Sequence, residues 1–433
     1  MSQKRLINSV TIITSLLVVF FTFSKTYGSG FAVYTQGGSS LGQGAATIAH
    51  TDDPSAIFFN PALINKLEGT QVELGTTLLF PSRKFTSDFS GNTYETKSEV
   101  FYPSTLFITH KFNEKISAGL GVFNPFGLST TWPDDWEGRY IATNSEMQTF
   151  NINPVISYQI TPKISFAGGL DFLLLNATLE KKINQPAILY PNPVPDINQK
   201  FKGDGNGIGF NVGILLEPHR DISIGASYRS EIKVDIDGKA TFDKVNPLLS
   251  AYFPNTNGNT SITLPQQIHL GIYYKGLNPL TFEVALRWEG WSSYNQLKIN
   301  LDEPVGPPPF GSRTSIERKD WKDTYSANIG AKYQLTDAVA LLAGYLYGGN
   351  PIPDNRFEPA IPDANTHLFC IGTSIKQKKV KIDLAYAYQR LQDRNKNNDV
   401  GAESSIPDIF DARANGKYKS YLHMVGVSLT YTF

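Results

Sequence analysis

The chain has 433 residues, with 39 Lys plus Arg balanced by 39 Asp plus Glu and a single cysteine, Cys370. That balance excludes an electrostatic partnership with nucleic acid, and one cysteine excludes an intramolecular disulfide framework. The six histidines, His50, His110, His219, His269, His367 and His423, are scattered without metal-ligand spacing, so neither a metal nor a cofactor is expected.

Lys4 and Arg5 precede an apolar run from Leu16 to Phe23, and small residues follow as far as Gly28. This is the pattern of a secretory signal peptide over residues 1–28, and the run is too short for a membrane-spanning helix, which needs about 20 apolar residues. Loss of Lys4, Arg5 and Lys25 with that leader leaves 36 basic against 39 acidic residues, a mildly acidic mature chain.

Residues 29–69 lack apolar periodicity but hold six glycines, with Gly28 just before them, together with the turn sequences Asp52-Asp53-Pro54 and Asn60-Pro61-Ala62. Ile57, Phe58, Phe59, Leu63 and Ile64 are too apolar for a solvated tail. A compact irregular plug is expected here.

Residues 70–433 read as β-strand throughout. Val425, Val427, Leu429, Tyr431 and Phe433 alternate with Met424, Gly426, Ser428, Thr430 and Thr432, as a lipid face alternates with a lumen face. Short turns at Asn113-Glu114, Thr161-Pro162, His219-Arg220, Leu277-Asn278, Thr336-Asp337 and Lys378-Lys379 alternate with longer Pro- or Gly-rich connections. Six hairpin turns with one opening and one closing strand give fourteen strands, near 70–86, 100–112, 115–126, 146–160, 163–181, 206–217, 221–239, 261–275, 280–300, 320–334, 338–348, 366–377, 380–392 and 417–433. The expected fold is an all-β, 14-stranded antiparallel transmembrane barrel of a bacterial outer membrane, with the N-terminal plug in its lumen. A secreted soluble β-protein is the rival architecture, but its strands usually run to about five or six residues.

The Ser29-Gly30-Phe31 start, Gly42-Gln43-Gly44-Ala45 and Asp52-Asp53-Pro54-Ser55 before Phe59-Asn60-Pro61-Ala62 resemble the hatch of FadL-type outer-membrane transporters. Tyr228-Arg229-Ser230-Glu231, Leu264-Pro265, Trp291-Ser292-Ser293-Tyr294, Trp321-Lys322-Asp323 and Asn350-Pro351-Ile352-Pro353 resemble later landmarks of that family, in the same order. The resemblance implies passive uptake of a hydrophobic molecule, most simply a long-chain fatty acid, through a hatch-gated barrel with lateral exit. A neutral aromatic hydrocarbon is the alternative substrate, and a structural or adhesive barrel is the alternative class.

By the same resemblance, Asn60, Pro61 and Ala62 form the hatch motif and gate. Asn124-Pro125-Phe126-Gly127 is the strand kink that opens the wall, where proline removes a ladder donor. Phe31 belongs at the wall of the ligand pocket. From strand parity rather than resemblance, Lys322, on the parity of Thr324 and Ser326, is expected to face the lumen, as a cation for a ligand carboxylate or else as a salt-bridge partner or solvated rim residue. Asn176 stands where fatty-acid-transporting relatives can carry a basic residue. The terminal Phe433 resembles the aromatic signal read by the outer-membrane assembly machinery, and the barrel is expected to work as a monomer among membrane lipids. No GxSxG elbow or other catalytic signature is present, so no enzyme activity is expected.

Overall fold

A computed structural model describes residues 30–34, 36–189, 194–309, 311–405 and 411–433. The expected signal peptide lies outside the described residues.

Fourteen antiparallel strands close into one barrel. β1 is Thr70–Ser87, β2 is Ser104–Lys111, and β3 is Ile116–Phe123, resuming as Gly127–Thr131. β4 (Asn144–Thr161), β5 (Ile164–Ile183) and β6 (Ile197–His219) follow. Four further strands are each interrupted once: β7 (Ile222–Arg229, Ile232–Asp243), β8 (Thr256–Leu264, Gln267–Leu277), β9 (Leu280–Glu289, Gln296–Val305) and β10 (Ser312–Arg318, Thr324–Gln334). β11 (Val339–Gly348), β12 (Thr366–Gln377), β13 (Val380–Leu391) and β14 (Gly416–Thr432) complete the circuit. β14 pairs back onto β1, with Gln71 opposite Thr432 and Ser87 opposite Gly416, so no sheet edge is left open.

The pleat sorts the side chains as the alternation requires. On β14, Val425, Val427, Leu429 and Tyr431 are exposed outward while Met424, Ser428 and Thr430 are buried inward. Apolar residues exposed on the outside of a closed sheet are what a hydrocarbon solvent demands. No helix among the described residues is long and apolar enough to cross a membrane.

The described residues before β1 fold into α1 (Gly38–Gly42), α2 (Ala56–Phe59) and a 3-10 turn (Pro61–Lys66). Their apolar side chains, among them Ile57, Phe59 and Leu63, are buried against inward-facing Phe107, Phe123, Val155 and Leu215 of the wall. The backbone comes close enough that a Cβ at Gly225 would lie 2.0 Å from the carbonyl oxygen of Ile48, which only glycine tolerates. Glu283 on β9 accepts the amides of Ile48, Ala49 and His50. Lys381 on β13 pairs with Asp52 at 2.7 Å and Asp53 at 3.0 Å.

The strand count and short turns follow the sequence expectation, while several boundaries differ: β2 starts at Ser104 rather than 100, β7 runs to Asp243 and β8 starts at Thr256, each with one break, and β6, β9 and β10 depart as follows. β6 starts at Ile197 rather than 206, because Lys200, Lys202 and Asp204 occupy outward positions and give no apolar alternation. β9 is not continuous to 300: Gly290 ends its first part and Trp291–Ser293 forms a 3-10 turn. β10 begins at Ser312, breaks over 319–323 and resumes at Thr324.

Candidate functional site

Phe31 is only 4% exposed and sits in an aromatic cage. Its ring meets Trp291 edge-on at 4.5 Å, Trp321 at 5.5 Å, and Phe126 and Tyr294 at 6.2 Å each. Edge-to-face geometry aligns positive ring edges with negative faces and adds about 0.5–1.5 kcal/mol per pair beyond burial. The interruption of β9 creates this cage, since the 3-10 turn swings Trp291 inward. Gly30 has φ +58°, and a Cβ there would lie 2.8 Å from the Trp291 ring, so a side chain would be excluded on both grounds.

The same segment occupies the break in β3. Proline cannot donate to a ladder, and β3 loses pairing between Phe123 and Gly127. Val33 donates its amide to Pro125 O at 2.9 Å, and Gly127 donates to Phe31 O at 2.9 Å. Gln36 adds side-chain donation to Val33 O and to Asn124 O at 2.8 Å. From β4, Thr149 Oγ1 both accepts from Phe126 N at 3.0 Å and donates to Phe126 O at 2.6 Å. Residues 31–33 thus satisfy backbone groups that the interrupted strand leaves open.

Beside this junction lies a cavity of about 710 Å³, within the range of small-molecule sites (about 300–1,000 Å³). Phe31, Phe126, Met147 and Leu346 give it an apolar inner wall, and Asn124 and Gly127 border it at the break. Both Thr149, buried on the lumen side of β4, and Phe150, exposed on the outer side, line it. The cavity is therefore bordered by residues of both faces of the wall at the interruption of β3.

Arg83, on the inward register of β1 with Leu79 and Phe85, is the one cation lining the cavity among the described residues and donates to Ser129 O at 2.9 Å. Asp363, in the connection between β11 and β12, lines the same cavity and accepts the Gly30 amide at 3.1 Å. Burial pushes the Asp363 carboxyl up to about 7, although the amides of Ala364 and Gly30 and the guanidinium groups of Arg394 and Arg83 act in the opposite sense.

The residues singled out in the sequence separate into two places. Phe31, Asn124, Phe126 and Gly127 line the cavity, and Pro125 adjoins it through Val33. Asn60, Pro61 and Ala62 lie elsewhere: Asn60 caps the 3-10 turn, accepting Ala62 N at 3.1 Å and donating to Ile48 O at 2.8 Å and Ile214 O at 3.0 Å. Lys322 is exposed and does not line the cavity, because it falls in the break of β10, where strand parity no longer sets direction. Asn176 is exposed on the outward register of β5. Phe433 is exposed at the barrel end, its amide donating to Thr70 O at 2.9 Å. Among the described residues no group of His, Cys, Asp and Glu is placed to hold a metal. Arg83 and Asp363 had not been singled out; the inward parity of β1 pointed to the first, and nothing local pointed to the second.

The sequence model of the outer membrane protein transport protein family (OMPP1/FadL/TodX) matches residues 19–433. The chain belongs to this family. It is 24% identical to a long-chain fatty acid transport protein of Escherichia coli O6:H1, over 90% of this chain and 93% of that one. It is also 24% identical to a 47 kDa outer membrane protein of Pasteurella multocida, over 91% and 92%. A FadL homologue of Pseudomonas aeruginosa superposes with a TM-score of 0.78 at 18% identity, covering 94% of this chain and 100% of that one. The toluene transporter TodX of Pseudomonas putida superposes with a TM-score of 0.70 at 16% identity, covering 92% and 98%. This FadL/TodX-family protein is an outer-membrane transporter of hydrophobic compounds.

Proposed function

We propose that this protein carries long-chain fatty acids across the outer membrane by passive diffusion, with residues 29–69 acting as a hatch and the break at Asn124–Gly127 as a lateral exit. The observation that carries the reading is the cavity that runs from lumen-facing Thr149 to outward-facing Phe150, with Phe31 and the backbone of residues 31–33 seated at its inner side. A lipophile dissolves poorly in a polar lumen, so a path that ends in the wall delivers it to hydrocarbon without crossing water. Withdrawal of residues 31–33 removes the hydrogen bonds that fill the break and vacates the space held by Phe31. No chemical step is needed, in keeping with a family of transport proteins.

The fatty-acid substrate is supported by several relatives that are long-chain fatty acid transport proteins. A neutral aromatic hydrocarbon is the second reading, favoured by the toluene transporters among the structural neighbours. Mass spectrometry of ligands retained by the purified barrel, combined with uptake of labelled palmitate and toluene by cells carrying it, separates the two. Palmitate retention and uptake support the first reading; toluene alone supports the second.

A further inference from the structure

Charge on the cavity wall is sparse. Arg83, Asp363 and Glu146 are the ionisable acids and bases of full charge among the lining residues, and Glu146 is on the outward register of β4, where its carboxylate accepts from Gln148 Nε2 at 2.8 Å. Arg83 faces inward and contributes one hydrogen bond, from Nη1 to Ser129 O. A guanidinium has five N–H donors in a planar fork, and Arg83 makes no ion pair with an acidic side chain among the described residues. Asp363 and Glu99 act on it only as more distant charges. Ser129 belongs to the resumed part of β3, so the guanidinium stands at the border of the wall opening. The Asp363 carboxylate, meanwhile, is engaged by the Gly30 amide.

We infer that Arg83 is the specificity-determining group of the cavity: its free donors hold the carboxylate of an anionic lipophile at the upper edge of the β3 break while the tail occupies the apolar wall, and Asp363 opposes that anion. This deepens the fatty-acid reading and rests on it. A bidentate charge-assisted pair is the strongest contact available to a carboxylate in such a place, and an ester, which lacks the anion, forfeits it. Asp363 sets the threshold, since its own negative charge shares the guanidinium's field.

The test is equilibrium binding of palmitate, methyl palmitate and toluene to the intact purified barrel, to Arg83→Gln and to Asp363→Asn, each checked for heat-modifiable migration. The native barrel is expected to prefer palmitate over its ester by about tenfold or more. Arg83→Gln should collapse that ratio towards one. Asp363→Asn, which keeps an oxygen to accept the Gly30 amide, should raise the ratio several-fold. A ratio unchanged in either folded variant overturns the inference. Equal binding of acid and ester by the native barrel overturns it too, while leaving uptake of long-chain lipophiles intact. Binding of toluene alone defeats both this inference and the fatty-acid reading.

Discussion

Val33 donates its backbone amide to the carbonyl oxygen of Pro125 at 2.9 Å, so a residue of the N-terminal segment completes a strand that proline has broken. One such bond contributes about 1 kcal/mol, and the reciprocal Gly127-to-Phe31 bond a similar amount. The closure of the wall is thereby tied to the position of Phe31.

Removing the donor should loosen that closure. Val33→Pro is expected to raise the rate of lipophile uptake several-fold with the barrel still heat-modifiable, because no interstrand ladder of the complete strands is touched. Phe31→Ala vacates a site in the aromatic cage and should cost about 3–5 kcal/mol of local packing. Uptake assays and gel migration on the same preparations check both. Slower uptake with intact migration would argue against a gate here.

Asn60 is fully buried and makes three hydrogen bonds, two of them donated to the carbonyls of Ile48 and Ile214. Asn60→Ala removes the donor to those carbonyls and the acceptor of the Ala62 amide, and should destabilise the docked N-terminal segment by about 1–3 kcal/mol. Hydrogen exchange should speed up across residues 36–66 and stay slow in β1 and β14. Equal acceleration in the strands would mean that the motif supports the barrel itself.

Asp363 predicts a pH dependence with a definite sign. Its folded pKa, raised from 3.8 to about 7, means that the native state favours the protonated acid. The stabilisation is complete below the unfolded value and is lost as pH rises through about 7. The groups facing this carboxyl are Arg83 from β1, Arg394 beyond β13, and the amides of Gly30 and Ala364. As Asp363 ionises it shares the Arg83 field, so an alkyl sulfonate, whose own charge is fixed, should bind more weakly at about pH 8 than at about pH 6. Asp363→Asn should flatten both the stability and the binding profiles; a slope that survives the substitution assigns the titration elsewhere.

Much of the barrel was legible because a lipid exterior forces outward positions such as Val425, Val427 and Leu429 to be apolar, leaving period-two alternation in the chain. Above the membrane that constraint lapses. The first turns of β6, with Lys200 and Lys202 outward, carry no such mark, and the breaks in β9 and β10 leave only Gly290 and Trp291 as local hints. The break in β3 was legible because its chemistry is local: Pro125 has no amide to give to a ladder. Arg83 and Asp363 reach one cavity from 280 positions apart in the chain through barrel closure, and Lys322 was misdirected by a parity that the break in β10 cancels.

The passage of ligand through the wall is tested most directly by photoaffinity labelling of the intact barrel in its membrane with a diazirine-bearing fatty acid, read out by peptide mass spectrometry. Passage through the wall predicts adducts on residues 31–34, 124–128 and 147–150, on both Thr149 and Phe150, and their loss when unlabelled fatty acid competes. Competable adducts confined to the deeper lumen around Asn60 and Glu283, with residues 124–128 unlabelled, would place the path along the barrel axis and contradict lateral exit.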